Sequence, residues 1–216
     1  MITSPVVGAW VDDSTTTYTS IMDQFAASAG AWYGFDVYGV LRMGRLSEPA
    51  GAAKAVLAER EVLEGMERRT PTDNGVPVYS VTVNHSKNYT VQTSGLAGSA
   101  SSRQGFVSEE MRASNAADAT IKTQWLLAGT LAVDTLLTTT AAGDAEAARL
   151  LAMYKVRRDL FDVPIDLSVM TAKGIWLLDV VKLDMARFSL NSGRLFRVIG
   201  IAFELSSNKV TLTVWG

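Results

Sequence analysis

A single histidine, His85, lies in the run VTVNHSKNY, and the 216-residue chain contains no cysteine. One imidazole and no thiolate cannot supply the nitrogen and sulfur ligands a zinc site takes, and no loop has the spaced oxygen ligands and turn glycine of an EF-hand. A lone histidine at a strand end reads as a surface or packing residue before it reads as a base. Asp12 and Asp13 are only a pair, the composition of an exposed loop. Glycoside hydrolysis needs two carboxylates facing each other across a cleft. Glu59, Glu61, Glu109 and Glu110 are candidates by residue type, but no spacing forces two of them together, and their default is a solvated face. GLAGSAS, beginning at Gly95, has glycines but no lysine in the position a phosphate-binding loop requires. Asn84 and Asn88 open the glycosylation patterns NHS and NYT, which read as chance matches in a chain whose first residues do not look secretory. Trp32, Tyr33, Phe35 and Tyr38 are dense enough to stack on sugars or bases, yet strand aromatics at this density are the usual material of a core. The reading ends with no catalytic, cofactor-binding or metal-ligating residue, and the chain is expected not to be an enzyme.

The bulk composition agrees with a folded protein: 48% hydrophobic and 19% charged residues exclude a disordered chain. The formal net charge is −2 and the isoelectric point near 5.5, against the basic balance of a dedicated nucleic-acid binder. The opening MITSPVVGAWVDD lacks the basic and long apolar regions of a signal peptide. Trp125 to Gly143 imitates a membrane span, but Asp134 near its middle would cost about 2.5–3.5 kcal/mol on insertion. Leu131, Val133, Thr135 and Leu137 alternate there with Ala132, Asp134, Leu136 and Thr138, which suits a sheet.

The elements that would position these residues follow from periodicity. Tyr18, Ile21, Met22, Phe25 and Ala29 share a helical face, with hydroxyls from Ser14 to Thr17 for a cap and Gly30 to end the helix. AWYGFDVYGVLRMGRL is a hairpin pattern turning between Asp36 and Gly39. VLAEREVLEGMERR predicts a short helical turn and then a strand from about Val62, and Thr70 to Pro77 is the best linker in the chain. VYSVTVNH is a strand; SGLAGSASSRQ is a loop opening a short helix near Arg103 to Met111; a strand block then runs to Thr138. A second helix carries Ala147, Leu150, Leu151 and Tyr154 on one face, and RRDLFDVPIDL and IWLLDVVKL are strands. In the closing hairpin, turning at SSNK, Val210, Leu212 and Val214 point inward and Thr211 and Thr213 outward. The expected class is α+β: mainly antiparallel sheets, barrel-like or sandwich, with two or three packed helices. Residues 1–72 are expected to form a helix-plus-hairpin unit, and 73–216 a β-rich domain with an inserted helix.

The order of these segments resembles bacteriophage tail hub proteins. AASAGAWYGFDVYGVLRMGRL is similar to their helix ending in a small-residue turn, aromatic strand, D-x-x-G turn and strand closing on Arg. VYSVTVNHSKNYTVQ, AEAARLLAMYKVRRDLFDVPIDL and GRLFRVIGIAFELSSNKVTLTVWG resemble later segments, so the likeness spans most of 26–216. The family usually has L-G-D before the V-V strand, where this chain has Leu177-Leu178-Asp179. The resemblance implies a virion structural protein of the hub or baseplate at the distal tail, a homotrimer ringing the tail axis with other tail proteins as partners. It implies production in the host bacterial cytoplasm, no cofactor, no nucleic-acid binding of its own and no membrane-spanning segment. Hub proteins are generally much longer, so the chain is expected to be a C-terminal portion of one. The rival expectations are a carbohydrate-binding tail-tip module stacking sugars on Trp32, Tyr33 or Trp125, and a cell-wall hydrolase.

Overall fold

The computed structural model describes residues 6–11, 14–35, 39–69 and 75–216. Helix α1 (Tyr18–Ser28) leads into strands β1 (Ala31–Phe35) and β2 (Leu41–Arg45). Strand β3 (Ala55–Ala58), a 3₁₀ turn over Glu59–Glu61, β4 (Glu67–Arg69) and β5 (Val78–His85) follow. After them come α2 (Gln104–Val107), β6 (Arg112–Ala117), α3 (Ala119–Gln124), β7 (Gly129–Asp134) and the long α4 (Thr140–Tyr154). The chain continues through β8 (Leu160–Asp166), α5 (Leu167–Lys173), β9 (Val180–Asp184), β10 (Arg194–Glu204) and β11 (Lys209–Trp215). The class is α+β, as expected from sequence. Of the five helices among the described residues, α2, α3 and α5 have only four, six and seven residues, so α1 and α4 are the substantial ones. No sheet closes into a barrel among these residues: the six-stranded sheet ends at β3 and β4.

Two compact units emerge, each from two stretches of chain: Met1–Leu46 with Pro77–Val156, and Ser47–Val76 with Arg157–Gly216.

The second unit is built on the sheet β3-β9-β10-β11-β8-β4, antiparallel except where β3 runs alongside β9. Period-two alternation makes β11 its spine. Val210, Leu212 and Val214 are fully buried, while Thr211 and Thr213 are half-buried on the other face, as the pattern predicts. Phe161, Val163 and Ile165 of β8 and Phe196 and Val198 of β10 complete the core. Pro164 sits inside β8 without breaking it. Its carbonyl accepts from Leu63 N–H at 2.8 Å, on the side away from β11 and beyond the end of the β4 pairing, so no ladder bond is lost there. The expected strand from Val62 is displaced. Val62 makes an isolated bridge to Ile165, Gly65 turns at φ +90°, and β4 begins only at Glu67. Val56, at the start of the stretch expected to open with a short helical turn, lies in β3 paired with Lys182.

In the first unit β5 is central, antiparallel to β6 and parallel to β7. Helix α4 packs on this sheet through Ala147 and Leu150 against Val81, Val83 and Leu137. Thr139 caps α4, its hydroxyl accepting from Ala142 N–H at 3.3 Å. The Trp125–Gly143 segment becomes β7 and its flanks, and no helix among the described residues is long and apolar enough to cross a membrane. The continuous strand block expected up to Thr138 is interrupted by α3, whose cap is Asp118 accepting from Thr120 N–H at 3.2 Å.

Candidate functional site

Strands β1 and β2 form a sheet of their own, in the register Tyr33↔Met43 and Phe35↔Leu41. Leu46 N–H donates to Gly30 O at 3.2 Å, which sets the phase of the ladder. Alternate pairs in an antiparallel ribbon exchange hydrogen bonds, and the pairs between them direct their amides outward. Counting from Gly30/Leu46, the bonded pairs are Trp32/Gly44 and Gly34/Arg42, so the amides of Tyr33, Phe35, Leu41 and Met43 face away from the hairpin. Directly opposed residues share a face. Tyr33, Phe35, Leu41 and Met43 are therefore on one side, where Phe35 is 76% and Met43 68% exposed.

Helix α1 and helix α4 hold this hairpin in place. Thr17 caps α1 by accepting from Ser20 N–H at 3.2 Å, and Tyr33 OH donates to Asp23 Oδ1 at 2.7 Å, which raises the pKa of the phenol beside the carboxylate. Buried Ser28 accepts from Leu136 N–H at 2.8 Å and ties the helix end to the chain before α4. Glu146, on α4 and almost fully buried, takes Arg45 of β2 on Oε2 and Arg149 on both oxygens, at 2.9 Å from Nε and 2.6 Å from Nη2. Arg149 also donates to Leu46 O at 2.8 Å. Gly30, at φ +59°, ends α1 as expected and has a second reason to be glycine: a Cβ there would collide with the Arg149 guanidinium. One buried carboxylate thus clamps the exit of the hairpin onto α4. Sequence reading missed Glu146 and Arg149, and the strand closing on Arg was the single local hint.

His85 is not a surface residue. It is 1% exposed, with Ser86 Oγ 2.9 Å from Nδ1 and Ser114 Oγ 3.1 Å from Nε2. Gly143 of α4 lies over the ring, where a Cβ would come within 2.5 Å of Cδ2. Burial lowers its pKa below 6.5, with Asp144 opposing the shift and Arg112 adding to it. The imidazole is a packing piece between sheet and helix.

Three of the four candidate carboxylates, Glu59, Glu61 and Glu110, have a basic partner of their own. Glu59 accepts from Ala186 N–H at 3.2 Å and pairs with Arg187. Glu61 accepts from Ala58 N–H at 3.0 Å and pairs with Lys173 at 2.9 Å; burial would raise its pKa, but these partners hold it below the usual value. Both belong to the second unit, Glu109 and Glu110 to the first, where Glu110 lies 3.7 Å from Lys87. An open depression of about 500 Å³ beside Glu59 is lined also by Arg60, Asp184 and Asn191. No cluster of three metal-ligating groups occurs among the described residues. Asn84 is bonded to Asp134 at 2.7 Å, and Asn88 donates to Phe106 O and Glu109 O, each at 2.7 Å. Trp32 and Tyr33 are consecutive in β1 and point to opposite faces, so they offer no common stacking platform. Trp125 follows α3 in the turn to β7. Asp12, Asp13, Asp36, Tyr38 and residues 70–74 of the proposed linker lie outside the described residues.

No protein-family model matches the chain, and no curated protein does either. Solved structures match in fold. A chain of the virion of a native gene transfer agent particle superposes with a TM-score of 0.58 at 16% identity, over 91% of this chain and 38% of its own. A tail protein from Neisseria meningitidis MC58 gives 0.57 at 15% identity, over 98% of this chain and 58% of its own. The fold is one that tail proteins have. The 43 kDa tail protein of prophage MuSo2 from Shewanella oneidensis shares it as well, with a TM-score of 0.50 at 10% identity over 94% of this chain and 52% of its own. The chain therefore spans less than two thirds of each of these tail-fold chains, and at such identities the likeness is one of fold.

Proposed function

We infer that this chain is a structural component of a phage tail, part of the hub or baseplate at its distal end. In this reading three copies ring the tail axis, other tail proteins are the neighbours, and no reaction is catalysed. The carrying observation is the match of 91–98% of the chain to virion and tail proteins. The exposed apolar face of the β1–β2 hairpin supports it, because a side chain left this exposed is normal for a surface that assembly covers. The protein would be made in the host cytoplasm and found in the virion. Quantitative mass spectrometry of purified particles tests the reading, with about three copies per tail expected from a threefold ring. Absence from particles sinks it. Peptidoglycan release by the purified chain, abolished by Glu59→Gln, would replace it with the hydrolase reading.

The division into 1–72 and 73–216 belongs to the same proposal. Arg68 and Arg69 stand in β4, ion-paired to Asp159 and Asp162. First cleavage by trypsin at these arginines supports the division, and their protection while other sites are cut removes it.

A further inference from the structure

Two strands alone are marginal in water, and a sheet normally needs a third. Among the described residues β1 and β2 have no third strand. Both outer edges direct amides away from the hairpin, at Tyr33 and Phe35 on one side and Leu41 and Met43 on the other, and among the described residues no strand receives them. Natural edges are usually blunted by lysine, proline or inward charge. These are not: β1 reads AWYGF, and in β2 the Arg45 side chain is committed to Glu146 while Arg42 projects to the opposite face.

We propose that a second copy of this chain completes the sheet, the outer edge of β1 in one copy pairing antiparallel with the outer edge of β2 in the next. The idea rests on the ring reading above and adds which surface makes the ring. Direction favours a second copy as the occupant. Because β1 and β2 run oppositely, the two free edges of one hairpin are complementary to each other, and a neighbouring hairpin continues the alternation unbroken. Side chains agree with direction, since Tyr33, Phe35, Leu41 and Met43, whose amides point outward, lie on one face, and each added hairpin extends the same apolar surface. Neighbouring side chains agree as well: across the joint, Phe35 of one hairpin and Leu41 or Met43 of the next stand side by side on the shared face as cross-strand apolar pairs, and Phe35 is 76% and Met43 68% exposed. The contact is heterologous, using a different edge on each copy, so it closes into a ring when the rotation allows.

The absence of cysteine makes the test clean. Phe35→Cys and Leu41→Cys are prepared separately in the full chain, mixed at about the millimolar concentration that effective-concentration arguments assign to tethered partners, and oxidised. Paired edges give the mixed disulfide in at least tenfold excess over either homodimer. Homodimers alone, or no crosslink, overturn the proposal. Met43→Pro, which removes an outward amide hydrogen and no internal ladder bond, weakens self-association at least tenfold with unchanged circular dichroism. Should proline disturb the strand, Met43→Lys serves in its place, and association at the wild-type level in the folded variant overturns the proposal as well. A chain present in virions that fails the crosslink keeps its tail role and loses this interface; a chain that crosslinks but is missing from virions does the reverse.

Discussion

The hairpins β1–β2 and β10–β11 look alike as sequence: each is a pair of aromatic and aliphatic runs about a polar turn. In the fold they are opposites. The β10–β11 pair is flanked by β9 and β8, and every second residue of β11 is fully buried. The β1–β2 pair has no flanking strand among the described residues and not one buried residue. Hydrophobic patterning therefore says that a strand wants a covered face, but not whether its own chain covers it. The closing hairpin is finished by the chain itself, while the first is held, among the described residues, by the Glu146 clamp at its base and by α1.

The contrast is broken most directly by placing a charge in each hairpin. Leu212→Asp buries an unpaired carboxylate against Phe161 and Phe196 and costs several kcal/mol, enough to prevent folding. Met43→Asp, on the exposed ladder, leaves the melting temperature within about 2 °C of wild type, the range of an ordinary surface substitution. If Met43→Asp also unfolds the chain, or Leu212→Asp does not, the two hairpins are not the opposites described here.

The clamp comes next in size. Glu146→Gln leaves the partly exposed Arg45 and Arg149 facing each other without their counter-charge, and losing these charge-assisted hydrogen bonds costs about 1.5–3 kcal/mol. The loss should be read in hydrogen exchange as faster exchange at the bonded amides of β1 and β2, with β10 and β11 unaffected. Uniform loss across both hairpins would mean that the clamp supports the whole chain and not the first hairpin.

What was legible and what was not follows the range of each interaction. The burial of Val210, Leu212 and Val214 could be read because five consecutive residues alternate between polar turns. The ends of α1 could be read because Thr17 and Gly30 act within one turn of the helix. The burial of His85 could not, since it depends on Gly143, 58 positions away on a different element. Nor could the clamp, where Arg45 and Glu146 stand 101 residues apart. The parallel pairings of β3 with β9 and β5 with β7 are likewise set by tertiary packing, and α3 is too short to leave a periodic trace.

Acid separates the two units because each holds one informative group. His85, in the first, has a folded pKa below its unfolded 6.5, so the unfolded chain binds more protons. Its contribution is fully present above pH 6.5 and is lost as pH falls toward the folded value. Asp159, in the second, is pushed up by burial and more strongly down by the Arg68 and Arg194 guanidiniums, ending below 3.8. Its contribution survives through that first window and is lost only as pH falls past about 4 toward the lower folded value. Exchange protection of β5 and α4 should decline between pH 7 and 5 while that of β8 and β11 holds. His85→Gln should flatten the first decline; a variant that keeps the wild-type slope would show that another group titrates there.

The smallest effect concerns Leu178, in the turn beside the finished hairpin. Its φ is +66°. A left-handed conformation costs an L-residue about 1–2 kcal/mol. The strand ladder holds it there nonetheless: Leu178 N–H donates to Val198 O at 2.7 Å, its carbonyl accepts from Arg197 Nη1 at 2.6 Å, and the Trp176–Asp179 turn fixes the approach. Replacing leucine changes side-chain contacts as well as backbone strain, so the informative comparison is between two truncations. Leu178→Ala removes the side chain and keeps the strain, whereas Leu178→Gly removes both and loses about 0.4–1 kcal/mol to unfolded-state entropy. The glycine variant should therefore be the more stable by roughly 0.5–1 kcal/mol, about 1–4 °C in melting temperature for a chain of this size. Elsewhere in a strand or helix glycine is the weaker of the two. An alanine variant that equals or exceeds glycine would show that the backbone at Leu178 relaxes out of the left-handed region, and that a leucine at this position costs the closing hairpin nothing.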